Sequence, residues 1–209
     1  MEKAEHDVKT VLIAPSWQAG NILESCLQDL AEPLLAAGYD VTVRPHPQYI
    51  RRYPQKLEKF MADCKDYDSE RFRFQLDFSS NETVFSADQL VTDWSNIGYE
   101  YALATKKPVL FINTPQKRVN EDWSDEDIAR CAPDAQIRNV IGVALATEEV
   151  RQKAAEAVNG MVGDRAQWEE TLENVRRERI YHFGESGKYA AQYLIGRMLE
   201  NQKREKAQA

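Results

Sequence analysis

VTDWSNIGYEYALATKKPVLFIN, residues 91–113, is the stretch that decides the fold. An apolar run, Asp88–Val91, ends in the polar residues Thr92-Asp93-Trp94-Ser95-Asn96, and a helical pattern, Asn96–Ala104, opens there. Lys106-Lys107-Pro108 closes that helix, and Pro108–Asn113 is a second apolar, β-branched run of strand length. Strand, short turn, helix and strand in sequence make one βαβ unit, whose two strands lie parallel with a right-handed crossover. The turn has chemical meaning as well. A helix start presents backbone N–H groups without intrahelical partners, with the positive end of the dipole behind them, and so forms a seat for phosphate.

Toward the N-terminus the same alternation recurs. Thr10–Ala14 (TVLIA) reads as a buried strand that stops at Pro15. The polar loop Ser16–Gly20 leads to Asn21, an N-cap with Glu24 three residues on. The helix from Ile22 carries apolar residues at Leu23, Cys26, Leu27, Leu30, Leu34 and Leu35, meets Pro33 as a kink point, and ends at Gly38. Tyr39–Val43 is the second strand, and it runs into another polar edge, Arg44-Pro45-His46-Pro47. A basic, aromatic helix over Gln48–Cys64, a third strand over Arg71–Leu76, a short turn or helix at Asn81–Phe85 and a fourth strand, Gln89–Thr92, lead back to the opening stretch.

Beyond Asn113 the character changes. Thr114–Arg138 is polar and crowded with acids between Glu121 and Asp127. A last strand or turn at Val140–Val143 precedes helical patterns at Glu148–Val158, Arg165–Arg179 and Ser186–Glu200. The expectation is a single α/β domain over residues 1–200, a Rossmann-like parallel sheet flanked by helices with extra helices at its C-terminal side, and a flexible tail at 201–209. Two polar strand ends in such a chain place a nucleotide or phosphate ligand at the carboxyl edge of the sheet.

Composition bounds the partners. The 209 residues suffice for a core without staples. A net charge of -7 argues against nucleic acid, whose binding needs a basic face, but leaves room for a small anion held by local donors. Cys26, Cys64 and Cys131 are odd in number and far apart, which fits idle thiols in a reducing cytoplasm. Met1–Thr10 lacks the apolar core of a signal peptide, and no run approaches the length of a membrane span. No His, Cys and carboxylate grouping has metal spacing, and no cofactor is indicated.

The candidate site residues each carry an ordinary alternative. Thr92, Ser95 and Asn96 offer hydroxyl, amide and backbone donors to phosphate, and the same types cap helices. Asp93 would repel a diphosphate and fits better as a cap or an orienting carboxylate. His46 is pinned between prolines at a strand end, either for a ligand or simply packed in a loop. Arg44 supplies positive charge or is a partly exposed strand residue. Glu100 stands one turn into the helix, as a ligand contact or a solvated carboxylate. Ser16 and the Trp17–Gly20 loop share the same sheet edge, as cleft lining or as a surface turn. Lys106-Lys107 lies at the opposite end of the sheet and reads as a solvated link. Arg51-Arg52 with Tyr49 and Tyr53 reads as a charged helix face, with contact to an anionic lipid or polymer as its other use. His182, before the Gly184–Gly187 turn, is a weaker candidate for the same site.

Three strings taken together, APSW at Ala14–Trp17, RPHP at Arg44–Pro47 and the run Val91–Asn113, resemble the CDP-glycerol glycerophosphotransferases, the teichoic-acid primases and polymerases. That family carries a TDYSS strand-turn-helix, an acidic residue in the helix, then lysine-proline and an apolar strand. Here Thr92, Asp93, Trp94, Ser95, Asn96 and Glu100 stand at those positions, with tryptophan in place of tyrosine and asparagine in place of the second serine. The turn Phe183–Lys188 is similar to the family's small-residue turn into its last helix. The resemblance implies the C-terminal, donor-binding half of a GT-B fold, with the acceptor site and a catalytic base on an N-terminal half that these residues do not contain. It implies a CDP-linked donor, His46 as the catalytic group stabilising the leaving cytidylate, Arg44, Ser16, Thr92, Ser95 and Asn96 around phosphate, and Glu100 on ribose. It further implies a cytoplasmic protein, with the inner face of the membrane as a peripheral station. Two other classes stay open: a non-catalytic nucleotide- or partner-binding module, and a GT-B enzyme using a UDP- or CMP-sugar.

Overall fold

The computed structural model describes residues 9–67, 70–116, 120, 122–124, 126–127 and 133–208. Cys131 and part of the acidic segment Glu121–Asp127 lie outside the described residues. The elements in chain order begin with β1 (Thr10–Ile13), α1 (Ile22–Ser25), α2 (Leu27–Ala36), β2 (Asp40–Val43), α3 (Pro47–Arg52) and α4 (Pro54–Asp63). There follow β3 (Phe72–Phe74), α5 (Glu82–Ser86), β4 (Gln89–Thr92), α6 (Ile97–Thr105) and β5 (Val109–Asn113). The chain ends with α7 (Pro133–Ile141), β6 (Gly142–Ala146), a 3₁₀ turn at Thr147–Glu149, α8 (Val150–Gly163), α9 (Arg165–Arg179) and α10 (Ser186–Gln208).

The six strands are all parallel, in the order β3-β2-β1-β4-β5-β6. This is the doubly wound arrangement of dinucleotide-binding folds, and its direction of winding reverses between β1 and β4. Register is set by alternation. Val11, Ile13, Val41, Val43, Val91, Leu110 and Ile112 join one core with α2 and α8. The intervening Leu12, Leu90 and Phe111 are equally buried and serve the other face, where Gly98 of α6 meets Phe111. Strands buried on both faces read as near-continuous apolar runs, which is why β1 and β5 were legible, while β4 buries the polar Gln89 and Thr92 beside Leu90 and Val91.

Several boundaries differ from the sequence reading, each for a local reason. The helix expected over Ile22–Gly38 breaks at Cys26 (φ -154°), so α1 is a single turn, and Pro33 lies inside α2 without ending it. The helix expected over Gln48–Cys64 breaks at Tyr53, because Pro54 disfavours helical backbone in the residue before it and then opens α4 at its first position. The third strand shrinks to three residues at the sheet edge. The turn or strand at Val140–Val143 is β6, shifted to Gly142–Ala146. Gly142 is obligatory there: a Cβ would sit 1.9 Å from the Val109 carbonyl oxygen. α10 continues past Glu200 to Gln208.

The chain groups into two compact units, Met1–Leu172 and Glu173–Ala209. The first holds the whole sheet. In the second, His182 adopts φ 54° and its ring stacks at 3.5 Å on Tyr189, while Arg176 lies 4.6 Å over the Phe183 ring. Among the described residues no helix is long and apolar enough to cross a membrane.

Candidate functional site

A pocket of about 440 Å³ opens at the carboxyl ends of β1, β2 and β4, where the winding reverses. Its size suits a nucleotide-sized ligand. β1 supplies Ala14–Trp17, β2 supplies Arg44–Pro47, and Trp94–Ile97 with Glu100 come from the β4–α6 edge. Phe78, Asn81 and Val84, from the segment after β3 and from α5, complete it.

Asp93 does not line the pocket. It is 1% exposed, and its two carboxylate oxygens accept from the Ser16 N–H at 2.8 Å and the Ile22 N–H at 3.2 Å. Burial pushes its carboxyl above the ordinary value, and these N–H donors pull it partly back. Asp93 therefore ties the β1 loop to the β4 edge and caps α1, not α6. Thr92 is likewise structural here: it is fully buried, its hydroxyl donates to the Ala14 carbonyl at 2.6 Å, and it does not line the pocket.

The helix end itself is open. Asn96 begins the nine-residue α6 with near-helical backbone (φ -63°, ψ -17°), and no side chain caps it. Ser95, Asn96 and Ile97 all border the pocket, so the N-terminal dipole end of α6 is presented to it. Gly98 brings that first turn down onto the sheet, with its would-be Cβ 2.8 Å from Phe111.

β2 contributes positive charge and a directed histidine. Arg44 is 7% exposed; its Nη2 donates to the Ser80 carbonyl and to Asn81 Oδ1, both at 3.1 Å, and its guanidinium lies 4.8 Å from the Phe78 ring centre. Its Nη1 has no hydrogen-bond partner. Burial lowers its pKa somewhat, opposed by Asp77. A buried guanidinium nitrogen without an acceptor on a pocket wall is able to donate to an anion. His46 caps α3 by accepting the Gln48 N–H on Nδ1 at 3.0 Å. That bond leaves the neutral ring's proton on Nε2. Ser16 is 4% exposed, and Glu100 is exposed at the rim.

The structure thus brings Ser16, Arg44, His46, Ser95, Asn96 and Glu100 to one pocket and keeps Thr92 behind it. Trp17 joins them, with Arg52 4.7 Å over its ring, while Gln18–Gly20 stay off the lining. Phe78, Asn81 and Val84 were missed, although Asp77–Asn81 is a third polar stretch after a strand and the rule applied to β2 and β4 would have marked it. Lys107 is not the solvated link its sequence suggests: it is 7% exposed, and its ammonium donates to the Ala87 carbonyl at 2.6 Å. Tyr49 is not part of an exposed face: it is fully buried with its hydroxyl on Glu24 Oε1 at 2.8 Å, so of that cluster Arg51 and Arg52 are exposed and Tyr53 is half-buried. Among the described residues no three His, Cys, Asp or Glu side chains cluster as a metal site would require.

A family model described as CDP-glycerol:poly(glycerophosphate) glycerophosphotransferase matches residues 3–161. No curated protein matches the chain. Among solved structures, a UDP-forming α,α-trehalose-phosphate synthase from Burkholderia vietnamiensis is similar at 9% identity and TM-score 0.54, over 92% of this chain and 45% of that one. The chain therefore spans under half the length of that enzyme. The C-terminal CMP-Kdo binding domain of WaaA from Acinetobacter baumannii is similar at 11% identity and TM-score 0.50, over 81% of this chain and 90% of that one. At these identities the likeness is one of fold.

Proposed function

The chain belongs to the CDP-glycerol:poly(glycerophosphate) glycerophosphotransferase family, and from that premise we propose that its pocket seats the diphosphate of CDP-glycerol during glycerol phosphate transfer. The observation that carries this is Arg44 Nη1, buried without a partner on the wall of a pocket that the uncapped N-terminus of α6 also borders. Both features favour negative charge, and both stand where α/β sheets of this winding hold nucleotides.

In the reaction an acceptor hydroxyl oxygen attacks the phosphorus bonded to glycerol. The bridging P–O bond breaks, and CMP leaves with the electron pair. The acceptor's proton passes to a base that an N-terminal GT-B half would supply. His46 donates from Nε2 to the diphosphate as charge gathers on the departing phosphate, Arg44 and the Ser95–Asn96 turn hold the remaining oxygens, and Glu100 accepts from ribose hydroxyls. Each charge-assisted bond contributes about 1.5–3 kcal/mol.

Calorimetric titration of the chain with CDP-glycerol, CDP, UDP and a CMP-sugar tests the reading. Cytidine diphosphates are expected to bind, with CDP weakened about tenfold or more in His46→Ala and in Ser95→Ala. A preference for UDP or for the CMP-sugar would reassign the donor. Absence of any nucleotide binding at millimolar concentration would reject the site.

A further inference from the structure

Arg138 of α7 occupies an unusual position for a charged side chain. It is 2% exposed, and among the described residues its guanidinium has no ion-pair partner. Nη2 donates to the Ile112 carbonyl at 3.3 Å, and Nε has no acceptor. Burial lowers its pKa to about 10, with Tyr99 and Asp93 pulling it up, so it stays charged at neutral pH. What receives the charge is aromatic: the guanidinium carbon lies 3.9 Å from the Trp94 ring centre and 4.7 Å from that of Phe111. Two ring faces at these distances offset part of the cost of burying an unpaired cation.

Trp94 borders the pocket and directly precedes Ser95 and Asn96. Its indole is held twice, by Arg138 on its face and by the Thr114 carbonyl, which accepts from Nε1 at 2.8 Å. Indole is the ring that best accepts a cation, and it brings an N–H that tyrosine lacks at that place. We propose that Arg138 is a positioning residue: by gripping the Trp94 indole it fixes the Ser95–Asn96 turn, and with it the phosphate-facing start of α6. The inference rests on the reading of this pocket as a diphosphate seat. Arg138 is not itself among the pocket residues, so it acts through Trp94.

The test uses the full chain as wild type, Arg138→Met, Arg138→Lys, Trp94→Leu and the double variant Arg138→Met/Trp94→Leu. Near-ultraviolet circular dichroism of the free protein reads the grip. Arg138→Met should change the tryptophan signal, and should change nothing further once Trp94 is leucine. Titration reads the consequence. Arg138→Met should weaken CDP about tenfold and leave cytidine within twofold, since only the phosphates use the turn. The double variant should be no worse than the weaker single, as for two residues acting in series. Arg138→Lys, which keeps a cation under the ring, should recover most of the loss. Should Arg138→Met not fold, the test passes to Trp94→Leu, which should weaken CDP and spare cytidine, and to Arg138→Lys, which should stay near wild type for both. Additive losses, equal losses for CDP and cytidine, or an unchanged tryptophan signal would overturn the proposal. Wild-type chain that binds no CDP would bring down the diphosphate reading and this inference with it, whereas wild-type binding matched by the variants would bring down this inference alone.

Discussion

Replacing Gly98 by alanine tests whether the seat at the start of α6 depends on its closeness to the sheet. The added methyl would lie 2.8 Å from Phe111 Cε1, 3.1 Å from Thr92 Cγ2 and 3.2 Å from Phe111 Cζ. Ordinary carbon contacts fall at about 3.5–4.0 Å, so a gap of roughly 0.7 Å must open. Neither neighbour can give way cheaply. Phe111 is fully buried, with Arg138 over its ring, and Thr92 is held by its bond to the Ala14 carbonyl. The helix start must lift instead. Overpacking of this kind costs about 1–3 kcal/mol, while alanine returns about 0.8–1 kcal/mol through helix propensity. The net loss is about 1 kcal/mol, which for a domain of this size lowers Tm by roughly 2–4 °C. The functional effect should be larger than the structural one, because Ser95, Asn96 and Ile97 move with the turn. A displacement approaching 1 Å at a binding group costs on the order of tenfold to a hundredfold. The assay is a thermal melt beside a CDP titration on the same preparation. A Tm at or above wild type with unchanged CDP affinity would refute the packing argument. A lowered Tm with CDP affinity intact would refute the placement of the phosphates at α6.

Other perturbations probe the site and the scaffold separately. Arg44→Met should weaken CDP about tenfold to a hundredfold while sparing cytidine, by calorimetry, because it removes the guanidinium whose Nη1 awaits an acceptor. Gly142→Ala should cost more than about 4 kcal/mol or abolish soluble expression, since its methyl would meet the backbone of Val109, the residue paired with Gly142 across β5 and β6; a urea midpoint near wild type would contradict that register. Burial raises the Glu24 carboxyl, but bonds from Lys56, the Gly20 N–H and Tyr49 outweigh it and leave its pKa below the ordinary 4.5. Its stabilisation is therefore fully present above 4.5 and lost as pH falls below that and through the lowered folded pKa, so Glu24→Gln should lower Tm at pH 7 and flatten the acid limb of a Tm–pH profile.

The central strands β1 and β5 were legible because a parallel sheet covered on both faces makes them near-continuous apolar runs, whereas β4 (QLVT) was legible from Leu90-Val91 and the polar turn that follows. β6 was nearly invisible for the opposite reason: at the sheet edge its Gly142, Ala144 and Ala146 carry little strand preference. Lys107 looked solvated because it follows Lys106 and precedes a proline, and sequence alone does not reveal a backbone carbonyl at Ala87 waiting for its ammonium. Tyr49 looked like part of a basic surface because its partner, Glu24, lies on another element.

At the site, what could be read was the set of groups that strand ends deliver, and what could not was the set delivered by tertiary packing. His46 and Arg44 follow β2 directly, and Ser95 and Asn96 follow β4, so topology alone brings them together. Thr92 belongs to the same string, yet the pleat turns its hydroxyl to the Ala14 carbonyl. A period of two decides the matter: Val91 and Asp93 serve one direction, and Thr92 the other. Arg138 carries no such mark. It stands on a helix with no motif, after a polar segment, and its partners Trp94 and Phe111 come from residues dozens of positions earlier. The departure of Trp94 from the family's usual tyrosine reads at first as loss of a match. Beside Arg138 it becomes an exchange of one ring for another that holds a buried cation better, so the proposed phosphate seat is to be tested together with the arginine behind it.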